Sequence, residues 1–159
     1  MRSQLSQNGE YAVYQNSMTP LGYYDQANRT AGTAFVIGAG AAGEIGYSYH
    51  DFWAADDCFC FECPSSVNSR YLYYVLQNNQ DSILSKVRRS SVPRLSRSVL
   101  ENMMIPIPPI DYQNRVVSIL DKFYALSNDI ASGIPAEIEA RTKQYEYYRD
   151  ILLKFDRVA

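Results

Sequence analysis

Five groups of residues in this chain have types and spacing that could do chemistry. The first is Gly38, Gly40 and Gly43, which spell GAGAAG after an apolar run. A dinucleotide fingerprint needs such a turn to open a helix, whose N-terminus then holds a pyrophosphate. Here the turn leads into EIGYSYHDFW, where Gly46 and the alternating Tyr47 and Tyr49 oppose a helix. An acid for the ribose, about 20 positions on, would fall near Asp57–Glu62, inside an aromatic strand with no helix before it. A glycine-rich hairpin turn is the better reading.

The second group is Cys58-x-Cys60-x-x-Cys63. A structural zinc site wants four ligands, and His50, the one histidine, lies in a different strand or turn. In a strand, CFCFEC puts Cys58 and Cys60 on one face and Phe59 and Phe61 on the other, so small buried thiols explain it and no metal is expected. The third group, His50 itself, lacks a nucleophile in any recognisable arrangement. The fourth, Asp56 and Asp57, are adjacent and point apart in a strand, which suits a shared acid–base site poorly.

The fifth group is the strongest. Residues 1–85 carry 8 acids and 3 bases, and residues 100–159 carry 9 acids and 7 bases. Between them, residues 86–99 hold five bases and no acid: Lys86, Arg88, Arg89, Arg94 and Arg97. With Ser90 and Ser91 they form a positive, hydroxyl-bearing segment in a chain of net charge −2. Arg, Lys and Ser are the residues that contact phosphate, and Arg also grips guanine through two hydrogen bonds. The segment reads either as a DNA-facing loop or as a solvated loop whose arginines pair with nearby acids. Gln15, Asn16 and Ser17, with Tyr23 and Tyr24, could add base contacts from a second loop.

The elements that must position these residues follow from periodicity. Tyr11–Tyr14, Thr33–Ile37, Glu44–His50 and Asp57–Cys63 read as strands, and TPLGYYD as a loop. Pro64 closes the last strand, and Ser65 and Ser66 are placed to cap a helix through Tyr71, Leu72, Val75 and Leu76 that ends at QNNQ. Residues 86–98 read as a loop, and Asn102–Pro109 is extended because residues before proline avoid the helical region. From Asp111 a helix carries the apolar stripe Val116, Leu120, Phe123, Leu126 or Ser127, and Ile130. SGIP at 132–135 is a stop and restart. Ile138, Tyr145, Tyr148, Leu152 and Phe155 then keep a heptad-like rhythm around Arg141, a stripe that wants a partner helix.

Composition sets the outer limits. At 159 residues, 47% apolar and 20% charged, the chain can build one modest core, with or without a helical appendage. Tyrosines make up 14 of the aromatics, which suits a binding surface. No secretory signal is visible, the longest apolar run (Ala34–Ala42) is too short to span a bilayer, and three clustered cysteines suit a reduced, cytoplasmic protein.

Taken in order, several of these segments resemble the specificity subunit of type I restriction–modification systems. YQNSMTPLGYYD resembles that family's polar loop ending in a Gly-Tyr turn, FVIGAGAAGEIGY its glycine-rich hairpin, and FWAADDCFCF the strand that follows. SSVPRLS at 90–96 resembles its small-small-x-Pro-x-Leu-Ser segment. IPIPPIDYQNRVVSILDKF is similar to its Pro-Pro, Gln, Ile–Leu–Asp pattern, and GIPAEIEARTKQYEYYRDILLKF to the helix that continues it in a large subgroup.

The resemblance implies a DNA target recognition domain joined to a conserved helical region. Such subunits carry two recognition domains held apart by antiparallel helices that dock the methyltransferase subunits and, through them, the restriction subunits. They are not themselves catalytic: S-adenosylmethionine, ATP and Mg belong to the partner subunits, and no cofactor is expected on this chain. The expectation is therefore an α+β protein with two parts. Residues 1–109 form a mixed or antiparallel β-rich recognition domain, N-terminally incomplete. Residues 110–159 form a coiled-coil-like region for dimerisation and docking. One domain and one helical region make half of a usual subunit, so two copies could pair as a homodimer through their helices. Two rivals remain: a helical adaptor with a non-DNA globular head, and a nucleotide-binding enzyme fragment at Gly38–Gly43.

Overall fold

The run TAFVI is apolar at four of its five positions, and a strand with that pattern is covered on both faces. In the computed structural model, which describes residue 5, residues 9–130 and residues 135–154, this run is strand β3 (Thr33–Ile37), buried along its whole length. It is central in an antiparallel sheet between β4 (Ile45–Ser48) and β6 (Cys58–Cys60). A second sheet places β1 (Tyr11–Tyr14) between β2 (Gly22–Tyr24), antiparallel, and β5 (Phe52–Ala54), parallel. One face of β3 meets this second sheet: Phe35 and Ile37 cluster with Phe52 and Cys58. The rings of Tyr14, Phe35 and Phe52 lie 5.2–5.7 Å apart and close the seam. The other face packs Val36 against Leu72 and Leu76 of helix α1 (Ser69–Asn78).

Alternation along β6 therefore has a visible result. Cys58 and Cys60 face the seam between the sheets, while Phe59 and Phe61 join the cluster under α1. All three cysteines are free thiols. Cys58 is pushed above its ordinary value by its hydrogen bond with Cys60 and by burial, and the same bond holds Cys60 down.

Two local expectations need correction. TPLGYYD contains β2 as well as a loop, because Ala12 and Val13 of β1 recruit Tyr23 and Gly22 into a ladder. The α1 cap is Asn68 and not Ser65 or Ser66: its side chain accepts from the N–H groups of Arg70 and Tyr71 at 2.8 and 3.1 Å. That helix ends inside QNNQ as expected, at Asn78, and α2 (Gln80–Ser85) follows at once and buries Ile83. A further short helix, α3 (Arg97–Glu101), precedes the extended proline segment.

The last two helices are α4 (Ile110–Ile130) and α5 (Pro135–Leu153). They pair antiparallel within the chain. Phe123 stacks on Tyr148 at 5.2 Å, and Val116 and Leu120 share a cluster with Tyr71, Val75, Tyr145, Leu152 and Leu153. Apolar stripes that read as wanting a partner thus find one in cis. Leu153 is the buried member of the α5 pair and Leu152 is half-buried, one position off the sequence reading. Phe155 and the SGIP break lie outside the described residues, as do the side chains of Ile130 and Ile138. The protein is an α+β fold, with two three-stranded sheets and C-terminal helices among the described residues.

Candidate nucleic-acid interface

The glycine turn between β3 and β4 organises the surface where the candidate residues gather. It closes as a hairpin, with Ile37 N–H donating to Glu44 C=O at 2.9 Å and Gly43 N–H to Ile37 C=O at 2.8 Å. No helix follows it, so its amides are not arranged around a pyrophosphate. They hold two other loops instead. Gly40 N–H donates to Pro93 C=O at 3.0 Å, and Leu95 N–H donates to Gly38 C=O at 2.8 Å. One residue on, Ala41 N–H donates to Asn16 C=O at 2.9 Å. The basic loop and the Gln15–Ser17 loop are therefore tied to consecutive residues of one turn.

Gly40 explains why the turn is made of glycine. Its φ is +77°, in the region where a side chain strains the backbone, and an added Cβ would lie 2.6 Å from the Asn16 carbonyl oxygen. A larger residue would push the second loop away.

The basic segment is itself a small hairpin. Arg88 and Arg94 exchange backbone hydrogen bonds at 2.8 and 3.1 Å, leaving Arg89, Ser90, Ser91, Val92 and Pro93 at the tip. Ser90 Oγ donates to Val92 C=O at 2.7 Å, which tightens that tip. The side chains from Arg88 to Val92 are exposed. Lys86 caps the C-terminus of α2 and is also exposed. Of these cations only Arg94 has an acidic partner among the described residues, Asp57 at 3.9 Å, with 66% of the arginine side chain still exposed. Such a pair is screened and contributes little. Among the described residues, then, nearby acids engage one arginine of the loop, and weakly.

Two candidates sit elsewhere. Arg97 opens α3 instead of lying in the loop, and its guanidinium stands 5.4 Å over the Phe59 ring. Tyr23 is on the edge strand β2, 40% exposed, on the face it shares with Tyr14. In the second loop Asn16 is exposed, while Gln15 and Ser17 are half-buried, and Ser17 Oγ accepts from Thr19 N–H at 2.9 Å.

Sequence reasoning missed two polar residues that fasten α4 to the rest. Gln113 is fully buried. Its Nε2 donates to Ser66 C=O at 2.9 Å and Pro108 C=O at 2.7 Å, and its Oε1 accepts from Asn68 N–H at 2.8 Å. The signal was present: Gln113 lies in register with Val116 and Leu120, a polar residue on an apolar stripe, which implies a satisfied buried amide. Arg70, in a run of tyrosines, is 8% exposed and pairs with Asp121 at 2.8 Å.

Comparison with known proteins gives this geometry a family. Residues 1–140 match the family model described as type I restriction modification DNA specificity domain. A specificity subunit of the EcoR124I/EcoR124II type I restriction enzyme from Escherichia coli is 42% identical over 90 residues, covering 55% of this chain and 22% of that one. The MpnII specificity subunit of Mycoplasma pneumoniae is 32% identical over 117 residues, covering 73% of this chain and 35% of that one. In fold, the chain is similar to the crystal structure of a type I S subunit from M. genitalium, with a TM-score of 0.71 at 20% identity, over 83% of this chain and 36% of that one. The chain spans less than half the length of these relatives. On the span of the family match, and on the order of hairpin, basic loop and proline-led helix, the chain belongs to the type I restriction–modification DNA specificity domain family.

Proposed function

We propose that this chain is a non-catalytic DNA-reading unit. The basic hairpin Arg88–Arg94 and the Asn16 loop face one half of a split duplex site, and methyltransferase subunits, with restriction subunits behind them, dock on the helices. The observation that carries the reading is the shared anchor: one glycine turn holds a cationic hairpin and a polar amide-bearing loop side by side. Cations place the protein on phosphates, and Asn or Arg side chains read base edges. In this reading residues 1–109 recognise DNA, residues 110–159 dock partners, and the chain works in the cytoplasm. Among the described residues no helix is long and apolar enough to cross a membrane.

Replacing Arg88, Arg89 and Arg94 by Ala tests it. Affinity for duplex DNA and its dependence on salt should both fall while the thermal midpoint is kept. Unchanged binding would favour the adaptor with a non-DNA head.

Pairing of two copies has its own support. Tyr124, Leu126, Tyr147 and Ile151 are 49–62% exposed on α4 and α5, although those helices already cover each other. Equilibrium sedimentation at tens of micromolar should show a dimer, and monomer alone would remove this part.

A further inference from the structure

Buried apolar contact between α4 and α1 is non-directional and by itself lets one helix swing on the other. Two polar joints oppose that swing. At the start of α4, Gln113 is clamped to Ser66, Asn68 and Pro108, and Asn114 Oδ1 accepts from Asn68 Nδ2 at 2.8 Å. Eight residues on, about 12 Å along the axis, Asp121 receives Arg70 of α1. Arg70 Nε donates to Asp121 Oδ1 at 2.9 Å and Nη2 approaches the same oxygen at 2.8 Å. Tyr74 Oη lies 3.1 Å from Arg70 Nη2 and also donates to the Asp121 carboxylate. The guanidinium is enclosed by the rings of Tyr47, Tyr49, Tyr73 and Tyr74, with centroids 4.7–5.1 Å away.

A helix held at one point can pivot, whereas one held at two cannot. A planar guanidinium stacked among rings and bonded to one carboxylate is also directional, unlike an ammonium. Tyr47 lies on β4 and Tyr49 just beyond it, Arg70, Tyr73 and Tyr74 on α1, and Asp121 on α4, so the joint ties three elements. We propose that the Arg70–Asp121 joint, acting with the Gln113 clamp, sets the angle at which α4 leaves the DNA-reading part. Arg70, Asp121 and Tyr74 are then positioning residues. The consequence for DNA rests on the function proposed above: this angle decides how far apart two half-sites must lie.

Residual dipolar couplings on the intact chain test the angle without DNA. In the wild type, one alignment tensor should fit the amides of both β3 and α4. In Asp121→Asn, which keeps size but loses charge, α4 should need its own tensor with smaller order. Tyr74→Phe removes one contact to the carboxylate, keeps the ring, and should give an intermediate result if Asp121→Asn fails to fold. One common tensor in both variants would overturn the joint. In a second arm, random-sequence duplexes are selected on the specificity complex assembled with its methyltransferase subunits. Wild type should return a single half-site spacing and Asp121→Asn a spread of several. No selection by wild type would count against DNA reading alone, with the coupling arm still deciding the joint. A fixed spacing in the variant would overturn the link from angle to spacing.

Discussion

Replacing Gly40 by Ala puts a methyl group 2.6 Å from the Asn16 carbonyl oxygen at a residue whose φ is +77°. Holding an L-residue there costs about 1–2 kcal/mol. The contact cannot be relieved by a flexible side chain, because the obstructing atom is backbone. Either the turn or the Asn16 loop must move, which endangers the bonds from Ala41 N–H to Asn16 and from Gly40 N–H to Pro93. At about 1 kcal/mol for each bond lost, the total destabilisation is about 2–4 kcal/mol.

Gly32 supplies the control. Its φ is +79°, but an added Cβ would meet nothing nearer than the Tyr47 hydroxyl at 3.6 Å. Gly32→Ala therefore carries the backbone strain without separating the loops. Urea unfolding should show a smaller loss for Gly32→Ala than for Gly40→Ala. Fluorescence anisotropy on a random-sequence duplex at low salt should show a more than tenfold weaker affinity for Gly40→Ala alone. Equal stability losses with wild-type DNA affinity in both variants would refute the role of the turn as the anchor of the two loops.

Three further outcomes follow from the same geometry. The triple Arg88, Arg89 and Arg94 to Ala variant should flatten the slope of log affinity against log salt by about 2–3, since each phosphate contact contributes about 0.9; an unchanged slope would mean these arginines touch no phosphate. Gln113→Ala breaks three hydrogen bonds at a fully buried site and should cost about 3 kcal/mol in urea unfolding; a loss below about 1 kcal/mol would show the clamp to be idle. Burial holds Tyr71 and Tyr73 neutral up to about 12, above their ordinary 10.0, so their contribution to stability is full below pH 10 and is lost as pH rises through about 12. The urea midpoint should therefore fall across that alkaline window, and Tyr73→Phe should blunt the fall.

What could be read without the fold was whatever depends on near neighbours. TAFVI announced a strand, GAGAAG a turn, and the proline pairs the entry to a helix, because each is set by a few residues' backbone preferences and period. The basic cluster at 86–97 was legible for the same reason: charge counted along a chain needs no fold. The ordered motifs also carried the family. What tertiary structure alone decided is where distant residues meet. Arg70 and Asp121 are 51 positions apart, and Gln113 and Asn68 45 apart, and no period links them. The return of α5 onto α4 likewise supplies in cis the partner that the stripes only asked for. Most of all, the turn's use was hidden. Its glycines mark a hairpin turn without saying what that turn holds, and only the carbonyls of Asn16 and Pro93, bonded to adjacent amides, show that it brings two loops together.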